Sequence, residues 1–237
     1  MRESLDACLR RYADSLVQFE PIKHEGPVRV AIYDPAPDGG SAIGEQSWML
    51  TLAGVEGVQA QFVDDLSLSN LVDYEVLLYP QCNTGRSAGS YEFYEVIKRY
   101  VEEAGGGVLY GHNSVGNERS EFGTQTAFPL IAMGAIARLD SNQAVVVGDH
   151  PITAGLTAGT RFEHTYYDHW TVKPGRKGTA ILADPDGDPI MVAGQQGQGR
   201  VIYDGTIMLD EASHPLAATG AWHDVFMNAI QWLARRK

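Results

Sequence analysis

Between Tyr91 and Gly116 the chain reads YEFYEVIKRYVEEAGGGVLYGHNSVG. Apolar residues at Phe93, Val96, Ile97, Tyr100 and Val101 recur at helical spacing, which predicts a helix with one buried face. Gly105, Gly106 and Gly107 stop it. Val108, Leu109 and Tyr110 then form an apolar run bounded by glycines, the pattern of a central strand covered on both faces. The polar turn Gly111-His112-Asn113-Ser114 follows. Helix, glycine stop, buried strand and polar turn make one α/β unit, and ligands of open α/β sheets bind where such strands end.

The same patterning predicts the other elements. Leu5, Cys8, Leu9, Tyr12, Leu16 and Val17 share one stripe, so an amphipathic helix is expected up to Pro21, with 21–27 as a linker. Strands are predicted at Val28–Tyr33, Val58–Val63, Val76–Tyr79 and Ala144–Val147. Ser41 is placed to cap a helix running through Leu52, and Phe122 to Ala137 reads as a helical or mixed segment interrupted at Pro129 and Gly134. Thr179–Ala183, Pro189–Gln195 and Arg200–Tyr203 are strands joined at Asp186-Gly187 and Gly197-Gln198-Gly199. Ala221–Ala234 is a closing amphipathic helix, with Arg235, Arg236 and Lys237 at its negative end. The alternation predicts the α/β class: a flavodoxin-like, three-layer α/β/α sandwich with a mostly parallel sheet and a small antiparallel addition near the C-terminus. Residues 1–26 form the N-terminal helix and linker, and 27–237 a single α/β domain.

The helix, the GGG strand and the turn after it resemble the segment of class I glutamine amidotransferase-like domains that delivers the nucleophile elbow, written G-x-C-x-G in catalytic members. On that match Asn113 stands in the cysteine's place and Val115 in that of the second glycine. The resemblance therefore implies the fold without glutaminase chemistry. Pro80-Gln81-Cys82 stands where the family's P-G-G lends a backbone amide to an oxyanion hole. His150-Pro151-Ile152-Thr153-Ala154-Gly155-Leu156 resembles the HPI-x-x-GL segment of the trehalose-utilisation, ThuA-like branch, and Gly197 to Val201 its G-x-G-R-V strand. Phe162 to Val172 occupies the place of an acidic and aromatic D-E-x-Y segment, with different letters. The resemblance runs from Val28 to Lys237 and implies a ligand-binding or assembly domain of carbohydrate-related metabolism.

Composition narrows the classes of partner. Thirty acidic against eighteen basic residues leave a net charge of -12, which repels phosphate backbones, so no nucleic-acid partner is expected. No apolar run reaches the length of about eighteen residues that a membrane span needs, and the start lacks a signal-peptide core. No membrane partner is expected, and the expected location is the cytoplasm. Cys8 and Cys82 lie far apart without metal-ligand spacing, which predicts reduced thiols. No cofactor is implied.

Three chemistries compete for the polar residues. A cysteine–histidine enzyme would take Cys82 as thiolate and His112 or His164 as base. His164, Asp168 and His169 with His112 offer ligands to a divalent ion, but strand alternation would put His164, Tyr166 and Asp168 on one face and Tyr167 and His169 on the other, so no metal site is assigned. The third reading is a binding crevice for a small polar ligand, a carbohydrate among the candidates: Asp34, Asn83, Asn113 and Ser114 bind polar edges while Tyr166 or Trp170 covers a ring face. A hydrolase or sugar-modifying enzyme using His112, His164 and Asp168 is the alternative. The N-terminal stripe must also be covered, either by this domain or by a second copy in a homo-oligomer.

Overall fold

The computed structural model describes residues 19–35, 41–83, 90–116 and 124–236. The expected N-terminal helix and most of the loop after Asp34 lie outside them. Thirteen strands are described: β1 (Val28–Tyr33), β2 (Ser41–Ile43), β3 (Val58–Val63), β4 (Val76–Tyr79), β5 (Gln81–Asn83), β6 (Gly107–Gly111), β7 (Ala132–Leu139), β8 (Gln143–Val146), β9 (Arg161–Glu163), β10 (His169–Pro174), β11 (Thr179–Ala183), β12 (Pro189–Gln196) and β13 (Gly199–Asp204). The helices are α1 (Glu45–Leu52), the short α2 (Leu68–Leu71), α3 (Ser90–Glu102) and α4 (Gly220–Leu233).

Nine strands form one sheet in the order β3-β1-β4-β6-β13-β12-β11-β8-β9. The four pairings from β3 to β13 are parallel and the four from β13 to β9 antiparallel. The α/β class holds, but the sheet is mixed in equal halves, not mostly parallel. The cause is local: the Asp186-Gly187 and Gly197-Gln198-Gly199 turns join β11, β12 and β13 as hairpins, and these reach the centre of the sheet.

Alternation sorts side chains to two cores. Ala31, Tyr33, Leu77, Tyr79, Val108, Tyr110, Val201 and Tyr203 face α3, while Val30, Ile32, Val76, Leu78, Leu109 and Ile202 face α1 and α4. On the α3 face the antiparallel half is covered by the β7–β10 ribbon, whose Ala132, Trp170 and Val172 join the core. Sheet on sheet there replaces the expected helix layer. β7 also corrects the helical reading of Phe122 to Ala137: its register with β10 over long sequence distance overrides the local preference of an alanine-rich run. A row of tyrosines, Tyr33, Tyr79, Tyr110 and Tyr203, crosses four neighbouring strands with ring centroids 5.1, 5.5 and 4.9 Å apart, just below the strands' carboxyl ends.

Two further expectations change. Ser41 begins β2, which pairs antiparallel with β5, and α1 starts instead from Gly44, whose φ of 97° suits glycine. The stretch read as a linker is tied down: Ile22 is buried and its N–H donates to Ala104 O at 3.0 Å. At the amino-terminal end of the sheet, buried Glu75 accepts from Arg236 at 2.7 Å, and Arg236 also donates to His24 O. This joins the first and last described segments.

Candidate functional site

β6 ends at Gly111, and the chain turns sharply through His112–Val115. His112 has φ 45°, one of three non-glycine residues with positive φ among those described. A left-handed conformation costs a non-glycine L-residue free energy and persists where its surroundings hold it. The surroundings are tight: a Cβ on Gly111 would lie 3.0 Å from the Trp48 ring of α1. The sharp residue of the elbow is thus His112, and Asn113 stands one position further into the turn.

The His112 imidazole is 6% exposed and engaged on both sides. Nδ1 meets Gln81 Oε1 from β5, and Nε2 meets Asp168 Oδ1 at 3.0 Å. Asp168 is fully buried, and its other oxygen, Oδ2, accepts from Arg138 Nη2 of β7. Burial alone would raise the Asp168 carboxyl, but the hydrogen bonds from His112 and Arg138 outweigh it and hold the group below the usual carboxylate range. The bond to Asp168 in turn raises Arg138. Gln81 Oε1 and the carboxylate are both acceptors, so the arrangement is complete when each ring nitrogen donates. His112 can act as a base toward a ligand only after one of these partners leaves.

The other expected residues sort into separate groups. Asn113 Oδ1 accepts from Trp170 Nε1 at 2.8 Å, which seats the 9% exposed indole in the core rather than at a ligand face. Ser114 Oγ donates to Pro80 O at 2.7 Å, tying the turn to the end of β4. His164 bonds to His169 at 3.0 Å, not to Asp168. This corrects the alternation expected along one strand: the chain bends between β9 and β10, and the two imidazoles meet across the bend. Burial and the neighbouring His169 push His164 down to about 3, and burial lowers His169 as well. Tyr166 is half-buried and Tyr167 exposed, with ring centroids 4.3 Å apart, and Arg138 reaches the Tyr167 hydroxyl at 3.5 Å. Asp34 is half-buried at the end of β1. Cys82 and Asn83 lend backbone to β5, and their side chains lie outside the described residues.

Gln81 and Arg138 are the functional neighbours that sequence reading missed. Gln81 drew notice only as a departure from glycine, and Arg138 lies one residue past the segment read as helical or mixed. The one signal for it was a lone cation closing the apolar run AMGAIAR. Among the described residues no three His, Cys, Asp or Glu side chains are placed to hold a metal ion. No described helix is long and apolar enough to cross a membrane.

No family model matches the chain, and no curated protein matches it. Solved structures do. Cytoplasmic Protein STM3548 from Salmonella typhimurium is 17% identical, with a TM-score of 0.61 over 89% of this chain and 100% of that one. A putative ThuA-like protein from Bacteroides uniformis is 14% identical, with a TM-score of 0.57 over 92% and 94%. A β-galactosidase from Rahnella sp. R3 is 15% identical, with a TM-score of 0.53 over 90% of this chain but 32% of its own. At such identities the likeness is one of fold, and the fold this chain shares is that of the ThuA-like protein.

Proposed function

We propose that this is a class I glutamine amidotransferase-like domain of ThuA-like type that lacks glutaminase activity and binds a small polar ligand, carbohydrate-related in chemistry. The observation that carries the reading is the state of the elbow. Asn113, which stands in the cysteine's place on the resemblance, is an amide bonded to Trp170, the imidazole before it is locked between Gln81 and Asp168, and no described group next to them is a nucleophile with a base to spare. The network instead presents a prepared polar edge: Arg138, part exposed and anchored by Asp168, stands beside Tyr166 and Tyr167. Guanidinium and phenol hydroxyls hydrogen-bond to sugar hydroxyls, while an aromatic face covers a ring. The net charge of -12 disfavours a strongly anionic ligand. The sugar class also agrees with the β-galactosidase, which carries this fold in 32% of its length.

Titration of neutral mono- and disaccharides, followed by tryptophan fluorescence and melting temperature, tests this. Arg138→Ala and Tyr166→Ala should each weaken the best binder by about tenfold, the loss of one or two good contacts. If neither changes any detected affinity, this edge is not the site. Glutamine-dependent ammonia release at an enzymatic rate would overturn the non-glutaminase half independently.

A further inference from the structure

The nine-stranded sheet ends in two unlike edges. β9 is three residues long and carries exposed Arg161 and Glu163, charges of the kind that discourage strand addition. β3 is six residues long, reads Val-Gln-Ala-Gln-Phe-Val, and has neither charge nor proline. Among the described residues β1 is its one strand partner. Its other side therefore presents a row of backbone N–H and C=O groups suited to a further strand. Side chains alternate in the same sense: Val58, Ala60 and Phe62 share one face, with Phe62 42% exposed, and Gln59 and Gln61 the other, where Gln61 meets the Tyr74 hydroxyl.

Charge decides what can lie there. Exposed Glu56 precedes the strand, and exposed Asp64 and Asp65 follow it. A second copy pairing antiparallel would set Glu56 of each chain against the aspartates of the other, and a parallel copy would set each acid beside its equivalent. Both add like-charge contacts to two chains of net charge -12. The complement is a segment with basic ends. We propose that the β3 edge takes up, by strand addition, an extended segment of a partner protein: an uncharged middle alternating apolar and polar residues, apolar on the Phe62 face, flanked on both sides by lysine or arginine.

A fluorescent peptide of about eight residues, alternating valine and threonine between lysine pairs, is the probe, with a glutamate-flanked twin as control. On the full chain the lysine peptide should bind about tenfold or more tighter than its twin, and weaken as salt rises. Phe62→Lys should cost about tenfold in its affinity, and Glu56→Lys with Asp64→Lys should reverse the order of the two peptides. Amide exchange across 58–63 should slow when the lysine peptide binds, which mere charge attraction would not achieve. These positions are exposed, and circular dichroism with melting temperature checks that the variants stay folded. Equal binding of the twins, no binding at about millimolar peptide, unchanged exchange at 58–63, or a dimer of the full chain that Phe62→Lys dissolves would each overturn the proposal.

Discussion

Asp168 and Asp204 are both shut away from solvent, and they end in opposite electrostatic states. Burial pushes each carboxyl upward. At Asp168 the hydrogen bonds from His112 and Arg138 overcome that push, and the group stays below the usual range. Asp204, at the end of β13, is held by the Thr206 N–H at 3.0 Å, and its carboxyl rises to about 7. A neutral dipole offsets part of the desolvation, whereas the hydrogen bonds from His112 and the Arg138 guanidinium together reverse it. Burial therefore marks the core in both cases, and the company of charge distinguishes the place built to hold an ion next to the surface. That place coincides with the strained residue of the elbow, His112.

Removing the carboxylate tests the comparison most severely. Asp168→Ala would leave His112 and Arg138 without their shared acceptor. Breaking a buried pair in this way costs about 3–5 kcal/mol, and less where, as here, one partner keeps access to water. The Arg138 side chain is 32% exposed, so a loss of about 2–4 kcal/mol in urea unfolding is expected. Asp168→Asn should cost less, because the amide keeps an oxygen for Arg138. A loss below about 1 kcal/mol would place Asp168 with ordinary surface carboxylates and dissolve the contrast.

Two pH effects of opposite sign sharpen it. His164 falls to about 3 in the folded chain from an ordinary value of 6.5. Between those values the unfolded chain binds a proton that the folded chain refuses, so stability is full above 6.5 and drains away as the pH falls toward 3. From pH 7 to 4.5 this amounts to about 2–3 kcal/mol, and His164→Gln should remove most of that slope. Asp204 works the other way: its folded value lies above its unfolded 3.8, so its contribution is present below 3.8 and is lost as the pH rises toward 7. Asp204→Asn should relieve that loss and gain about 2–3 kcal/mol at pH 8 relative to pH 5. Urea midpoints across this range for the wild type and both variants separate the two. Parallel curves for all three would mean that neither group titrates as its surroundings require.

The strands that build the parallel half were legible because each is a short apolar run between turn residues: β1, β3 and β4 run over the predicted bounds. So was the closing helix, whose apolar face repeats at helical period. β7 was not, since Ala132 to Leu139 is rich in alanine and glycine, and its identity as a strand lies in the pairing with β10, some thirty residues on. The site failed in the same way. Residue types at 112 and 168 announced polar chemistry, but the partners that set their states, Gln81 and Arg138, come from β5 and from that unread β7. The bend after β9 decided the rest: period-two reasoning separated His164 from His169, and a few irregular residues brought them to hydrogen-bonding distance.

The smallest expected effect concerns the neutral bond at the same elbow. Trp170 Nε1 donates to Asn113 Oδ1 at 2.8 Å, both groups being buried, and neither carries charge. If charge is what sets the Asp168 cluster apart, this bond should be worth what neutral buried hydrogen bonds are worth, about 1 kcal/mol net. Asn113→Ala leaves the indole N–H without its acceptor and should cost about 1–3 kcal/mol, while the double variant Asn113→Ala with Trp170→Phe should cost less than the sum of the two single changes. The coupling read from that cycle should lie near 1 kcal/mol and stay constant between pH 5 and 8, because no partner titrates there. The matching cycle for Asp168 and Arg138 should give a larger coupling that shrinks with added salt as the exposed side of the guanidinium is screened. Equal couplings with equal salt response would show that the elbow treats both bonds alike, and that the ionised cluster has no special standing in it.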